Sequence, residues 1–498
     1  MNSFSRLLFI VAVIAFSLYF FTDNKVDPDL WGHLEFGEDI YKNLNVPLYD
    51  TYSYSSAGAR WVNHEWLSEL VFYTIFKFAG GAGLLALKFC VGLIIALLIY
   101  LSVSKNTESV FLKIFFIILP LSVIGYGFAT RPQIFTYLFF TLTIFLIGRF
   151  EKTRQRKWLY PFPLIFLSWS NLHGGFIAGI GVLLIYCLVK VLEKSATKSL
   201  IVITVSSIAA TFINPNGPGV WAFLFKTLTL SRPYLPEWGR VTFSSYFVDY
   251  FAISIITLVG LVFSRLKRNA FETVLLVIGL FVSFLHNRHI VLFAVLFSMY
   301  MPKYVDSFTG RLFVGLERKL SERFLRIFVL ALSLVFFLGA AFQGKRAPFR
   351  IEVPEDKYPV GAVKFIKDNR IEGNIFCFFD WAQMCIRELP GTNKVFFDGR
   401  YRTVYDEDLI EGYFEVLYGE REYKDFLRAF PETDIMLLHP SNQLAVKLSE
   451  DPEWTRVYAS YTAQVFLKNN DRNKNIIERS KKGRLIFSPG QGPFYLEK

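Results

Sequence analysis

Cysteine, histidine and charged residues are all scarce in this sequence. Four cysteines in 498 residues exclude a disulfide-rich scaffold. Asp, Glu, Lys and Arg together make up 19% of the chain, below the roughly 25% that is typical of soluble domains. Apolar side chains are abundant instead, since 53% of the residues are hydrophobic and the mean hydropathy is +0.36. This composition excludes a disordered or collagen-like chain and, because the apolar residues come in runs, argues against an ordinary soluble enzyme.

The formal net charge of +12 is confined to the apolar part of the chain. Residues 342–498 hold 24 basic and 24 acidic side chains, so the whole excess belongs to residues 1–341. Basic loops between apolar segments are typical of a membrane protein rather than of a nucleic-acid-binding surface. We therefore predict a transmembrane domain over 1–341, a second domain over 342–498, and no nucleic-acid partner.

Eleven apolar stretches approach or reach the roughly 20 residues that a membrane-spanning helix needs. The predicted spans are 5–22, 82–103, 110–128, 132–148, 158–172, 174–192, 198–213, 247–264, 270–285, 289–301 and 325–341. If the N-terminus is cytoplasmic, the inside loops hold 20 Lys and Arg in 63 residues, and the outside loops hold 9 in 108. Because Lys and Arg are enriched in cytoplasmic loops, this asymmetry predicts an extracytoplasmic C-terminal domain.

Residues 342–498 are predicted to form a small soluble α/β domain, because helical and strand-like patterns alternate there. The predicted helices are 360–369, 381–388, 407–418, 422–429 and 441–449, and the predicted strands are 374–379, 394–398, 434–439, 454–460 and 463–468. The last two strands are expected to form a hairpin. Cys377 and Cys385 could form a disulfide, which their spacing does not decide.

Unusual polar residues concentrate on the predicted external side of the membrane. Because ionisable groups at membrane depth are costly, they tend to mark function. Five of the six histidines lie at external ends of spans or in external loops, namely His33, His64, His173, His286 and His289. The same side carries Asp27, Asp29, Glu65, Arg131, Glu237 and Arg288. We interpret this as a shared external cavity; the alternative is that external loops are simply polar.

The first external loop, residues 23–81, has a net charge of −5. Asp27 and Asp29 follow the first span, and a carboxylate there could act as a general base or bind a hard cation. Helix capping is the alternative, since Asp27-Pro28 is a good helix start. Amphipathic patterns over 30–41 and 65–78 predict two helices on the membrane surface.

Arg131 and Arg288 are candidate anion-binding residues, because a guanidinium can grip a phosphate with two hydrogen bonds. The alternative is that each extends to the interface. His286 and His289 are three residues apart and could bind phosphate or a metal. The remaining predicted substrate-binding residues are His64, Glu65, His173 and Glu237. No cofactor is certain, and a divalent cation such as Mg²⁺ or Mn²⁺ stays open.

These features together resemble the GT-C superfamily of membrane glycosyltransferases, especially the protein O-mannosyltransferase and lipid A aminoarabinose transferase group. In those enzymes an Asp-x-x-x-Tyr motif follows the first span, where this chain has Asp27-Pro28-Asp29-Leu30-Trp31. His64-Glu65-Trp66-Leu67 stands where they carry a Pro-Pro-Leu-type motif. The stretch from Asp27 to Leu67 and the tail signature Val395-Phe396-Phe397-Asp398-Gly399-Arg400 resemble a set of poorly characterised bacterial proteins of this type.

The resemblance implies a multi-pass glycosyltransferase of the bacterial inner membrane. Such an enzyme moves a hexosyl or pentosyl group from a polyprenyl-phosphate-linked donor to a protein, lipid or envelope glycan at the external face. It implies catalysis by a carboxylate of the first loop, with Asp27 as the first candidate and Asp29 as the second. The alternatives are a transporter or flippase of lipid-linked glycans and a non-catalytic assembly factor. The absence of an internal repeat and the one-sided polar groups favour the enzyme. The oligomeric state, the sugar and the acceptor stay open.

Overall fold

The computed structural model describes residues 3–228, 230–244, 247–343, 349–389, 391, 393–487 and 492–496. By its contacts the chain divides into two compact units. The helical unit comprises Met1–Asn24, Leu84–Gly217 and Leu230–Phe349, and the mixed unit comprises Lys25–Gly83, Pro218–Thr229 and Arg350–Lys498. Most of the predicted first external loop therefore belongs with the C-terminal residues, whereas the sequence prediction divided the chain once, at residue 341.

Helices account for most of the regular structure. In chain order they are α1 (Ser3–Phe21), α2 (Leu30–Asn43), α3 (Trp66–Val103), α4 (Val110–Gly125), α5 (Gln133–Thr153), α6 (Phe162–Leu172), α7 (Phe176–Leu192), α8 (Lys198–Ala210), α9 (Gly219–Leu228), α10 (Val248–Phe263), α11 (Ala270–Leu285), α12 (Ile290–Arg318), α13 (Glu322–Gln343), α14 (Val360–Asp368), α15 (Ala382–Glu388), α16 (Glu407–Tyr418), α17 (Tyr423–Leu427), α18 (Gln443–Glu450) and α19 (Lys474–Lys481). Each of the eleven predicted spans falls on one of these helices.

Four helices in the described part of the chain are long and apolar enough to cross a membrane: Trp66–Val103, Gln133–Thr153, Asn287–Arg318 and Glu322–Gln343. Six shorter apolar helices accompany them. The total of eleven spans therefore stays a prediction, although the helical character of every predicted span is confirmed.

A glycine separates the second predicted surface helix from the second predicted span. Helix α3 runs from Trp66 to Val103, but Gly80 inside it has φ 63° and ψ −156°. Residues with a Cβ avoid this conformation, whereas glycine adopts it at little steric cost. The predicted helices 65–78 and 82–103 are thus consecutive segments on either side of a kink.

The interior of the helical unit is built from aromatic contacts and self-satisfied polar side chains. Helix α1 packs against α13, where the rings of Phe16 and Phe336 meet edge to face with centroids 4.8 Å apart. Ser17 Oγ donates to the Val13 carbonyl at 2.7 Å, one turn earlier in the same helix. A hydroxyl satisfied in this way can be buried in an apolar bundle at little cost.

The mixed unit contains a four-stranded sheet with strand order β2-β3-β5-β4. The strands are β1 (Glu352–Val353), β2 (Asn374–Cys377), β3 (Thr433–Leu438), β4 (Trp454–Ala459), β5 (Gln464–Lys468) and β6 (Phe494–Tyr495). Strands β2 and β3 are parallel, β3 and β5 are antiparallel, and β4 with β5 forms the predicted hairpin. Every residue of β3 is buried, as expected for a central strand.

Two predictions for the C-terminal residues need comment. The predicted strand 394–398 is wrong, because only Val395 makes isolated bridges, to Ser53 and Ile375. The chain bends at the next two residues, so that both phenylalanine rings are buried. Cys377 and Cys385 are buried free thiols, so the open question of a disulfide between them is answered in the negative.

Candidate active site

Asp27 and Asp29 occupy the turn that leads into α2 in the mixed unit. Asp27 Oδ1 accepts a hydrogen bond from the Asp29 N–H at 3.0 Å, and the Asp27 carbonyl accepts one from the Leu30 N–H at 3.1 Å. Asp29 immediately precedes the helix, yet its side chain makes no capping hydrogen bond to the described residues of α2. The capping alternative therefore does not account for Asp29, and Asp27 shapes the turn with one carboxylate oxygen.

The tail signature leaves room for the Asp29 carboxylate. A Cβ placed on Gly399 would collide with Asp29 Oδ1 and with the amide of Gln383. Only glycine allows this close approach of backbone to carboxylate. The glycine of the Phe397-Asp398-Gly399-Arg400 sequence thus has a direct role in placing a predicted catalytic residue.

An acidic cluster is centred on the buried imidazole of His33. We define this cluster as Asp29, His33, Asn63, Glu65 and Glu69. His33 Nδ1 lies 3.6 Å from Glu69 Oε1, and Asn63 Nδ2 donates to Glu69 Oε2 at 2.6 Å. The Glu65 N–H donates to Asn63 Oδ1 at 3.1 Å. Burial by itself lowers the pKa of His33, but Glu69, followed by the charges of Glu65 and Asp29, reverses this and raises the pKa.

The predicted residues His64 and Glu65 immediately precede α3, and Glu65 belongs to the acidic cluster. His64 Nε2 is 3.8 Å from Glu65 Oε1, and the His64 ring packs against Phe223 of α9 with centroids 5.6 Å apart. The sequence prediction found Asp29 and Glu65 and placed His33 among the histidines of the external cavity, but it assigned no role to Glu69. A signal for Glu69 was present, because it lies one helical turn after the predicted residue Glu65.

We expect Glu69→Gln to lower the melting temperature of the purified protein most strongly at low pH. Because the pKa of His33 is raised above its ordinary value of 6.5, protonated His33 stabilises the fold below that pH. This contribution is lost as the pH rises through the raised pKa. The difference in melting temperature from wild type should therefore shrink as the pH rises above about 6.5. A difference that does not change with pH would contradict the prediction, and Glu411→Gln, at an exposed position of α16, serves as the control.

A buried arginine fastens the first-loop residues to the tail signature within the mixed unit. Arg400 binds Asp398 through Nε at 2.9 Å and Nη2 at 2.7 Å, and its Nη1 lies 2.5 Å from Asp50 Oδ1. Its guanidinium also lies 5.0 Å from the Trp61 ring centroid and 5.1 Å from that of Tyr52. Bidentate geometry and aromatic stacking are the contacts for which arginine is suited. The signature sequence therefore positions the loop that carries the acidic cluster.

Arg387 of α15 makes a second connection of this kind. Its Nη1 lies 2.6 Å from Glu35 Oε2 and also pairs with Glu38, both on α2. Helix α2, which begins directly after Asp29, is thus paired with α15 at two residues one helical turn apart.

In the helical unit, an arginine cluster forms around Glu237 and Trp238; we define it as Arg131, Arg232 and Arg288. Arg131 Nη1 and Arg288 Nη1 each lie 3.2 Å from a different oxygen of Glu237. The guanidinium of Arg232 lies 3.6 Å from the Trp238 ring centroid and that of Arg288 lies 4.4 Å from it. Arg131 and Arg288, which the sequence predicted together as anion-binding residues, share Glu237, and Arg232 was not predicted.

The arginine cluster carries more positive charge than the carboxylate of Glu237 balances. Burial would raise the pKa of Glu237, but Arg288 and Arg131 outweigh it, and the pKa is lowered. Three guanidiniums therefore lie around this one ionised carboxylate. The side chains of Arg131 and Arg288 are 21% and 22% exposed, so both remain accessible to an anion.

The two histidines beside the arginine cluster, His286 and His289, both contact Trp238. His286 Nδ1 lies 2.8 Å from the Trp238 carbonyl oxygen and therefore donates to it. The His289 ring meets the Trp238 ring edge to face with centroids 6.0 Å apart. Within the described ranges, no three His, Cys, Asp or Glu side chains are placed to hold a metal ion. The predicted metal alternative for this pair therefore gains no support from the described residues.

His173 belongs to a different network in the helical unit. Its Nδ1 accepts a hydrogen bond from the Gly175 N–H at 2.9 Å and lies 2.7 Å from Thr136 Oγ1. Thr136 in turn accepts from Trp169 Nε1 at 2.8 Å. An Nδ1 that accepts is unprotonated, so a neutral His173 carries its proton on Nε2. These contacts tie His173 to the turn between α6 and α7.

Comparison with solved structures gives extensive fold matches. The archaeal oligosaccharyltransferase AglB from Archaeoglobus fulgidus, in complex with an inhibitory peptide and a dolichol-phosphate, has a TM-score of 0.60 at 11% identity over 94% of this chain and 75% of that chain. ArnT from Cupriavidus metallidurans has a TM-score of 0.53 at 11% identity over 93% of this chain and 97% of that chain. An Archaeoglobus fulgidus oligosaccharyltransferase complex with Zn and sulfate has a TM-score of 0.51 at 12% identity over 93% and 73%.

No protein-family model matches the sequence, and no curated protein matches it either. The solved proteins are GT-C glycosyltransferases, and the likeness extends over more than nine tenths of this chain. At 11–12% identity such a likeness concerns the fold. It confirms the resemblance that the first-loop motif predicted, and the chain has the GT-C fold.

Proposed function

We propose that this protein is a membrane glycosyltransferase that transfers a sugar from a polyprenyl-phosphate-linked donor to an acceptor. The observation that carries the proposal is the fold likeness to glycosyltransferases over nearly the whole chain, including one with dolichol-phosphate bound. The arginine cluster and the acidic residues after α1 support it, because this reaction needs a phosphate site and a base. We place the protein in a bacterial inner membrane, with residues 342–498 outside the cytoplasm.

In the proposed reaction, the acceptor hydroxyl or amine attacks the anomeric carbon of the donor sugar. Asp27 accepts the proton of the acceptor as the new glycosidic bond forms. The bond between the anomeric carbon and the phosphate oxygen breaks, and the configuration is inverted. The lipid phosphate departs as an anion, which Arg131 and Arg288 stabilise.

The proposed function is tested by a search for the sugar that is transferred and for the acceptor that receives it. Envelope glycans, glycolipids and glycoproteins are compared by mass spectrometry in cells with and without the gene. We expect a sugar modification to disappear in the deletion and to return with the wild-type gene. A polyprenyl-linked precursor that accumulates on the cytoplasmic side would instead indicate a flippase. A glycan profile that is the same in the deletion and the wild type would contradict the proposed transferase activity under the growth conditions used.

The arginine cluster allows a binding test that does not depend on the sugar. We expect Arg288→Gln and Arg131→Gln each to weaken the binding of a polyprenyl phosphate about tenfold, since each removes a charge-assisted hydrogen bond. Arg240→Gln is the matched control, because Arg240 is an exposed arginine of the same loop as Glu237. Titration of purified protein followed by native mass spectrometry measures the affinities. Equal affinity in all three variants would exclude the cluster as the phosphate site.

A further inference from the structure

The helical unit contains a polar cavity at the end of α5 that is opposite to the arginine cluster. It has a volume of about 320 Å³ and is lined by the end of α5, the start of α11 and the middle of α12. Arg131 precedes α5, and Arg149 lies near its end, sixteen residues after Gln133. At 1.5 Å per residue the helix rises about 24 Å from Gln133 to Arg149, which approaches the thickness of a bilayer core of about 30 Å. The cavity is therefore distinct from the arginine cluster.

Five cationic side chains line this cavity, namely Lys105, Arg149, Lys152, Lys190 and Lys303. Two carboxylates stand among the described residues of the lining, and both are already paired. Lys190 Nζ lies 3.2 Å from Glu151 Oε1, and Lys303 Nζ lies 2.7 Å from Glu272 Oε1. The lining thus has an excess of three positive charges.

The other three cations are not neutralised by carboxylates. Within the part of the chain that the structure describes, Lys105, Arg149 and Lys152 make no ion pair. Partial burial lowers the pKa of Lys105, and repulsion from Arg149 and Lys152 lowers it further. Like charges that face one cavity repel each other, and a bound anion would relieve that repulsion.

Two buried donors of the cavity lining are unsatisfied among the described residues. Tyr300 is 6% exposed, and its hydroxyl has no hydrogen-bond partner in the described ranges. The same holds for Arg149 Nε, which is buried although the guanidinium stacks on Trp158. Buried polar atoms in proteins almost always have a partner. A hydroxyl and a guanidinium N–H on residues that line one basic cavity are donors of the kind that bind the oxygens of a phosphate.

We propose that this cavity binds a phosphate group, carried by an anionic phospholipid head group or free in solution. Its volume is at the lower end of the roughly 300–1,000 Å³ range of ligand pockets, which fits a head group rather than a large ligand. Basic pockets between transmembrane helices are typical sites for anionic lipid head groups. The proposal involves neither the acidic cluster nor the arginine cluster, so it stands apart from the proposed sugar transfer.

The test uses the purified full-length chain in a zwitterionic detergent. Phosphatidylglycerol, phosphatidylethanolamine and inorganic phosphate are added separately, and bound molecules are counted by native mass spectrometry while the melting temperature is recorded. We expect phosphatidylglycerol or inorganic phosphate to bind and raise the melting temperature, and phosphatidylethanolamine to do neither. Binding of phosphatidylglycerol that inorganic phosphate displaces identifies a lipid head group. Binding of inorganic phosphate alone identifies a soluble ligand.

Variants connect the binding to the cavity. Lys105→Gln and Arg149→Gln should each weaken binding at least fivefold, whereas Arg156→Gln should not change it, because Arg156 is an exposed cation of the loop after α5 outside the cavity. Tyr300→Phe retains the packing and removes one donor, so it replaces Arg149→Gln if that variant is unstable. Unchanged binding in Lys105→Gln and Tyr300→Phe, or no binding of either anion to the wild type, would overturn the proposal.

Discussion

Asp27→Asn is expected to reduce sugar transfer by about 10²- to 10⁴-fold, the usual contribution of a general base. The asparagine oxygen can still accept the hydrogen bond that Asp27 Oδ1 receives from the Asp29 N–H, so the turn before α2 should persist. The substitution therefore removes the negative charge and the basicity while it keeps the local structure. Transfer from a defined lipid-linked donor to the acceptor found in the glycan comparison measures the effect.

Asp29→Asn should have a smaller effect, about tenfold. Its carboxylate packs against Gly399 and lies beside His33, so we infer that it positions the acidic cluster rather than accepting the proton. Asp425→Asn, an exposed aspartate of α17, is the matched control and should transfer at the wild-type rate. If Asp27→Asn retains full activity while Asp29→Asn loses it, the roles of the two residues are exchanged. Full activity in both would exclude this turn as the source of the base.

The second large effect is expected for Arg400→Met. This substitution leaves the carboxylates of Asp398 and Asp50, whose side chains are both 0% exposed, without their counterion. Breaking a buried ion pair by removing one partner typically costs about 3–5 kcal/mol. We therefore expect a loss of this size in the free energy of unfolding of the mixed unit. Chemical denaturation of the full-length protein in detergent measures this free energy.

Two further variants sharpen this measurement. Arg421→Met removes a half-exposed arginine whose partner Glu415 is 3.7 Å away, and it should change stability by less than about 0.5 kcal/mol. Arg400→Met combined with Asp398→Asn and Asp50→Asn should recover part of the loss, because the uncompensated charges are gone. Equal stability of Arg400→Met and wild type would contradict the positioning role of the tail signature.

Local patterns were sufficient for the helices and for most of the sheet. Membrane-length apolar runs form helices irrespective of their neighbours, because a helix satisfies its own backbone hydrogen bonds. The hairpin of β4 and β5 could be predicted because its strands are adjacent in sequence. The strand predicted at 394–398 failed because strand identity depends on a partner. Val395 bridges Ser53, which lies more than 300 residues earlier in the chain.

The sequence by itself determined the apolar helices, the charge asymmetry, the resemblance to GT-C proteins and the identity of the polar residues to be considered. Only the tertiary structure decided which of them meet. Arg400 finds Asp50, and Arg288 shares Glu237 with Arg131, across separations that no short-range pattern records. It also placed His173 in a network with Thr136 and Trp169, and it added Glu69 and Arg232. The physical reason is that side-chain contacts between distant segments depend on the packing of whole elements, whereas periodicity reports only the face of one element.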